Sequence, residues 1–185
     1  PPAPKEPEHD PAKKGLMSSD DAILAVILNA INKNTSHSFL LAGPPGTGKT
    51  KYAHDIADYL TGGDENRVLF LQFHPAFGYD DFVEGFRPVE AKDKDGEAKG
   101  VTYKLDPRHF LNFAERAKKD GDNKYVLVID ELNRGDVARI FGELLTYLEL
   151  DYREKEFTLA ISGTKTKLPR NLIVLATANP FDRSV

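Results

Sequence analysis

Gly43-Pro44-Pro45-Gly46-Thr47-Gly48-Lys49-Thr50 is the stretch that decides the reading of this chain. It has the form GxxxxGK[ST], with the apolar run Ser38-Phe-Leu-Leu-Ala42 before it. After it, Tyr52, Ala53, Ile56, Ala57 and Leu60 recur at helical spacing. A strand, a glycine-rich turn and a helix in that order form a phosphate cradle. The glycines let successive backbone N–H groups turn inward, and the helix N-terminus adds positive potential. The pattern predicts that residues 43–48 wrap phosphate oxygens, that Lys49 reaches the terminal phosphates, and that Thr50 offers its hydroxyl to Mg²⁺. The competing reading, a turn that happens to contain Lys-Thr, does not explain the complete pattern in its strand–loop–helix context.

Working outward, three more apolar runs read as buried strands: Arg67 to Phe73, Tyr125 to Ile129 and Leu172 to Ala176. Helices are expected from Ser18-Ser19-Asp20-Asp21 onward, with Ile23, Leu24, Ile27, Ala30 and Ile31 on one face, and over Val137, Ile140, Phe141, Leu144, Leu145 and Leu148. Wholly apolar strands alternating with amphipathic helices predict an α/β fold, a parallel sheet with helices on both faces. The expected order of its four strands is first, fourth, third, second. Asp93 to Gly100 reads as a surface hairpin tip. Asp151 to Lys167 reads as a second hairpin or an irregular excursion, with Phe157 to Ile161 as one arm.

The strand Tyr125 to Ile129 ends in Asp130-Glu131. Two carboxylates at the C-terminal edge of such a sheet stand where its ligands bind. Asp130 would hold Mg²⁺, and Glu131 would accept a proton from the attacking water or orient it. Asn179, just past Leu172 to Ala176, could steady that water through its neutral amide, although an Asn at a strand end is also ordinary turn chemistry.

Composition narrows the alternatives. The 185 residues hold no cysteine, which excludes a disulfide framework, a zinc finger and a cysteine nucleophile. Lys+Arg 25 against Asp+Glu 29 gives a net charge of -4, so the overall field does not favour nucleic acid. Any DNA contact is expected to be indirect, local or made by another chain. No run spans a membrane, none resembles a signal peptide, and a cytoplasmic location is expected. Five of the 12 prolines lie in residues 1–19, which read as a disordered linker ahead of a nucleotidase core at 20–185. The chain opens on Pro1, which suggests a piece of something longer. His74 reads as a polar core or loop group rather than a metal ligand. The aromatics Phe70, Phe73, Phe77, Tyr79, Phe82 and Phe86 read as core and interface packing. A nuclease reading would rest on Asp95, Glu97 and Lys99, which suit a charged hairpin tip better.

Taken together, the phosphate loop, the Asp130-Glu131 strand end and Asn179 resemble the core of an AAA+ nucleotidase. The likeness sharpens in Phe70-Leu-Gln-Phe-His-Pro-Ala-Phe-Gly-Tyr-Asp-Asp-Phe-Val-Glu-Gly-Phe-Arg-Pro88, Asp130-Glu-Leu-Asn-Arg134, Phe141-Gly-Glu143 and Asn179-Pro-Phe-Asp182-Arg183-Ser184. These are similar to the McrB family, GTP-driven motor subunits of modified-cytosine restriction systems, over residues from roughly 22 to 185. That resemblance implies a P-loop NTPase sandwich whose arginine finger, fifth strand and helical lid follow beyond Val185. It implies that Asp182 joins Asn179 in positioning or activating water, with Arg183 nearby and Arg134 at a subunit boundary. It also implies a hexameric ring that hydrolyses GTP or ATP with Mg²⁺ and drives a partner nuclease, McrC-like, along DNA. Two alternatives stay open: an ATP-driven remodeller of protein clients of the MoxR kind, and a nucleotide-gated assembly module without turnover. Guanine specificity rests on the resemblance alone, since no Asn-Lys-x-Asp element occurs.

Overall fold

The computed structural model describes residues 17–92 and 98–180. The expected linker therefore lies outside the described residues up to position 16, as do Asp182 and Arg183. In chain order the elements are α1 (Ala22–Asn32), β1 (Ser38–Ala42), α2 (Lys49–Thr61), β2 (Val68–Gln72), α3 (Tyr79–Phe82), β3 (Glu84–Lys92), β4 (Ala98–Pro107), α4 (His109–Lys119), β5 (Tyr125–Asp130), α5 (Val137–Phe141), α6 (Leu144–Tyr147), β6 (Phe157–Thr158), β7 (Lys165–Thr166) and β8 (Leu172–Ala178).

Four parallel strands form the central sheet in the order β1-β8-β5-β2, the order expected from the sequence. Its inner strands are buried along their whole length, which is why they read as unbroken apolar runs. Alternation sorts their side chains onto two faces. Val126, Val128, Ile173 and Leu175 pack under Leu24, Ile27 and Ile31 of α1 and Ala53, Ile56 and Ala57 of α2. Leu127, Ile129, Leu172, Val174 and Ala176 pack under α4, α5 and α6, with Phe73, Phe82, Phe110 and Phe113. The result is a three-layer α/β/α P-loop sandwich.

Helix starts and stops follow local chemistry. Asp21 caps α1 by accepting from the N–H groups of Ile23 and Leu24. Beyond the end of α2, the N–H groups of Gly62 and Gly63 close on Tyr59 and Asp58.

The structure departs from or extends the sequence expectations at four places. The stripe over residues 137–148 is two short helices, because Gly142 leaves the helix at φ +52 and ψ −129. The arm expected over Phe157 to Ile161 pairs only at Phe157 and Thr158 (with Thr166 and Lys165), and the chain then turns through Leu159–Thr164. The tip expected at Asp93 to Gly100 falls outside the described residues over 93–97, with Asp95 and Glu97, and the strands leading to it are long, β3 and β4 pairing antiparallel from Glu84/Pro107 to Lys92/Ala98. Helix α4 has no counterpart in the sequence reading, although Phe110, Phe113, Ala114 and Ala117 carry its helical spacing. Of the aromatic cluster, Phe73 and Phe82 are core, and Phe77 and Tyr79 pack against it. Phe86 is 58% exposed on the hairpin, and Phe70 stacks on His54 of α2 with ring centroids 4.5 Å apart.

Candidate nucleotide site

The loop between β1 and α2 is anchored where the Gly43 N–H donates to the Ala178 carbonyl at 3.2 Å. Gly46 and Gly48 hold φ of +76 and +77, and a Cβ at either would meet no atom within 4 Å. Glycine is thus demanded there by backbone conformation rather than by crowding. Gly48 caps the 13-residue α2, whose first N–H groups open toward the loop. Lys49 Nζ and Thr47 Oγ1 both donate to the Pro44 carbonyl, at 2.7 and 2.8 Å. The lysine is therefore folded onto the loop's own acceptor, in position for a stronger one.

β5 delivers Asp130, 7% exposed, beside that loop. Its Oδ1 accepts from Thr50 Oγ1 at 2.9 Å and from Thr177 Oγ1 at 2.6 Å. The Thr177 hydroxyl in turn accepts from the Glu131 N–H at 3.1 Å. Glu131 turns out of the strand at φ +56, a left-handed conformation uncommon for a residue with a side chain and found at functional turns. Its Oε2 is shielded from solvent and takes no hydrogen bond, although Arg134 Nε lies 3.4 Å away as an ion pair. A shielded carboxylate oxygen that takes no hydrogen bond suits an incoming water or hydroxyl.

Asn179 follows β8, half-buried, and its backbone is clasped by Asn133. Asn133 Nδ2 donates to the Asn179 carbonyl at 2.9 Å, and the Asn179 N–H donates to Asn133 Oδ1 at 3.2 Å. The structure thus brings together Thr50, Asp130, Glu131 and Asn179 along one end of the sheet, next to residues 43–49. Asp182 lies outside the described residues. Thr177 and Asn133 are members that the sequence reading missed. Thr177 carried a signal, a hydroxyl inside the apolar run Leu-Ile-Val-Leu-Ala-Thr-Ala, and Asn133 lay within the quoted Asp-Glu-Leu-Asn-Arg stretch.

The donor set suits Mg²⁺, a hard cation that keeps several waters and is held by one or two carboxylates, a hydroxyl and substrate phosphates. Asp130 with Thr50 would supply the protein share. No group of three or more acidic or histidine ligands occurs among the described residues, so a purely protein-built metal cage is not part of this site. A cleft of about 420 Å³ opens at the opposite end of the sheet, between Asn34–Ser38 and Leu148–Asp151. Glu149 and Asp151 line it and would repel a triphosphate, so it is not the nucleotide site. No described helix is long and apolar enough to cross a membrane.

Residues 38–185 match the family described as AAA domain (dynein-related subfamily). The Type IV methyl-directed restriction enzyme EcoKMcrB subunit of Escherichia coli (strain K12) is 32% identical over 154 residues, covering 80% of this chain and 31% of that protein. The Type II restriction enzyme BsuMI component YdiS of Bacillus subtilis (strain 168) is 25% identical over 189 residues, covering 86% of this chain and 54% of that one. The chain thus spans about a third of the first relative and about half of the second.

Proposed function

This chain belongs to the AAA domain family, in its dynein-related subfamily, and is McrB-like within it; from that premise we propose that it binds and hydrolyses a nucleoside triphosphate with Mg²⁺. The observation that carries the proposal is the pair of threonine hydroxyls, Thr50 and Thr177, aimed at one oxygen of Asp130 beside the loop. A strand end evolved only for solvation has no use for a carboxylate oriented from two sides.

In this reading the backbone N–H groups of residues 43–48 cradle the phosphates. Lys49 leaves the neutral Pro44 carbonyl for the β- and γ-phosphate oxygens, where its ammonium meets full negative charge. Thr50 and Asp130 hold Mg²⁺, which neutralises charge developing on the phosphates. Glu131 Oε2 takes a hydrogen bond from the attacking water and aligns it with the γ-phosphate. Asn179, its backbone gripped by Asn133, holds the same water through its amide, and Asp182 assists. Thr177 keeps Asp130 from rotating away.

The assembly proposed is a hexameric ring in the cytoplasm that consumes GTP or ATP to move DNA for a McrC-like nuclease subunit in methylation-dependent restriction. Residues 1–19 serve as the tether and 20–185 as the nucleotidase core. The restriction relatives support this choice over a MoxR-type remodeller.

The test is an equilibrium titration of GTPγS against ATPγS with Mg²⁺ on the full-length protein, with Glu131→Gln assayed in parallel. Binding that survives in E131Q while turnover falls at least about 100-fold is expected, because one positioned proton acceptor contributes 10²–10⁴ in rate. A tenfold preference for GTP, about 1.4 kcal/mol, supports the restriction motor, and an ATP preference moves the assignment to the remodeller. Binding of neither nucleotide refutes the nucleotidase reading.

A further inference from the structure

Two connections flank the inner strand β5, one arriving from β2 and one leaving for β8, and three of their segments meet on two glutamates. Glu84, at the root of β3, is 3% exposed, and its Oε1 accepts from the N–H groups of Ile161 and Ser162, each at 2.9 Å. Glu143, between α5 and α6, accepts at its own Oε1 from the Tyr79 hydroxyl at 2.7 Å and from the Ala160 N–H at 3.1 Å. Three consecutive N–H groups of the turn between β6 and β7 therefore end on carboxylates carried by two other parts of the chain. Successive N–H groups form an anion-binding concavity, and here the protein fills it with its own side chains. Burial and the Glu143 carboxylate push the Tyr79 phenol up, so it remains a donor.

Two of these segments are joined to members of the candidate site, and the third carries the hairpin. The one after β5 begins with Glu131, Asn133 and Arg134 and reaches Glu143 through α5. The turn at 159–164 runs through β7 into β8, which bears Thr177 and leads to Asn179. The one after β2 carries Tyr79 and Glu84 and continues as the long hairpin, whose Phe86, Val101 and Tyr103 are exposed.

We propose that Glu84 and Glu143 are positioning residues that hold the Glu131 and Asn179 segments in register and couple the β3–β4 hairpin to the nucleotide site. The inference rests on the nucleotidase reading above. Contacts made by the hairpin would reach Glu131 and Asn179 through the turn at 160–162, since hydrogen-bonded elements of this kind carry coupling between sites.

The test measures kcat, KM and Tm for full-length wild type, Glu84→Ala, Glu84→Gln and Tyr79→Phe, with amide hydrogen exchange on the same proteins. Glu84→Ala should lower kcat roughly tenfold with KM within about twofold, the scale of coupling carried by such networks. Glu84→Gln should recover most of the loss, because the amide oxygen still accepts both N–H groups. Tyr79→Phe deletes one bond at little cost to folding and should lower kcat about threefold. Folded variants with unchanged kcat, or with KM and kcat impaired alike and no rescue by Gln, overturn the proposal. Exchange decides it separately. Deprotection in Tyr79→Phe that spreads from 160–162 to the Asn133 and Asn179 amides supports the clamp, and deprotection confined to 160–162 refutes it. A wild type that binds no nucleotide fails the nucleotidase reading instead and leaves the exchange result to decide the clamp.

Discussion

Thr177 does two jobs with one hydroxyl, donating to Asp130 and accepting from the Glu131 N–H. Thr177→Val keeps the shape and removes both. It leaves that N–H without a partner, which should destabilise the fold by about 1–3 kcal/mol in urea unfolding. It also frees Asp130 to swing, so a Mg²⁺ titration of turnover should shift to higher Mg²⁺ by roughly tenfold, about the value of one hydrogen bond to a charged group. An unchanged Mg²⁺ profile would mean that Asp130 is oriented by Thr50 alone. At this scale the sequence was most legible where chemistry is local. Gly43 to Thr50 and Asp130-Glu131 are contiguous, so each pattern is visible in consecutive residues. Thr177 and Asn133 escaped because their partners lie 47 and 46 residues away, on or just past a neighbouring strand, a separation that no local pattern encodes.

Among the elements, the break between α5 and α6 is the informative one. The apolar spacing from Val137 to Leu148 suits one continuous helix, yet Gly142 adopts φ +52 and ψ −129, and a Cβ there would sit 3.1 Å from the Tyr79 ring. Gly142→Ala should therefore cost about 1–3 kcal/mol from backbone strain, seen as a lower urea midpoint at unchanged slope. If the variant were stabilised, the chain would prefer the continuous helix and Glu143 would lose its place. The break is what turns Glu143 toward Tyr79 and Ala160. The inner strands were legible because burial is unbroken along them, and the first two helices because burial repeats every 3.6 residues. The break was not, because a single glycine is tolerated inside a helical pattern until a neighbouring ring and a carboxylate give it a use. Helix α4 stood beside the charged hairpin, which masked its spacing.

On the scale of the whole molecule, a buried histidine ties the starts of β1 and β8 together. His37 lies just before β1, 8% exposed, with Nδ1 2.7 Å from the Arg170 carbonyl ahead of β8. That contact assigns the proton to Nδ1, and the His37 carbonyl also accepts from the Val174 N–H. Burial holds the imidazole below its ordinary value of 6.5, with Arg153 and Arg170 acting in the same direction. The unfolded chain therefore takes up a proton near pH 6.5 while the folded chain still resists it. Stability is fully present above that pH and falls as the pH drops below it. Tm measured from pH 7.5 to pH 5 should decline, and His37→Asn, which can keep a donor toward Arg170, should flatten that decline. An equal decline in the variant would place the effect on other groups.

The sequence alone determined the α/β class, the strand order, and the placing of the glycine-rich turn and the Asp130-Glu131 pair at strand ends. Those follow from short-range covalent spacing and from periodic burial, both written into consecutive residues. Tertiary structure decided which hydroxyl orients Asp130, where the Val137–Leu148 stripe breaks, and that Glu84 and Glu143 converge on one turn. Each of these depends on contacts between segments distant along the chain, whose partners exist only after the sheet has brought its edges together.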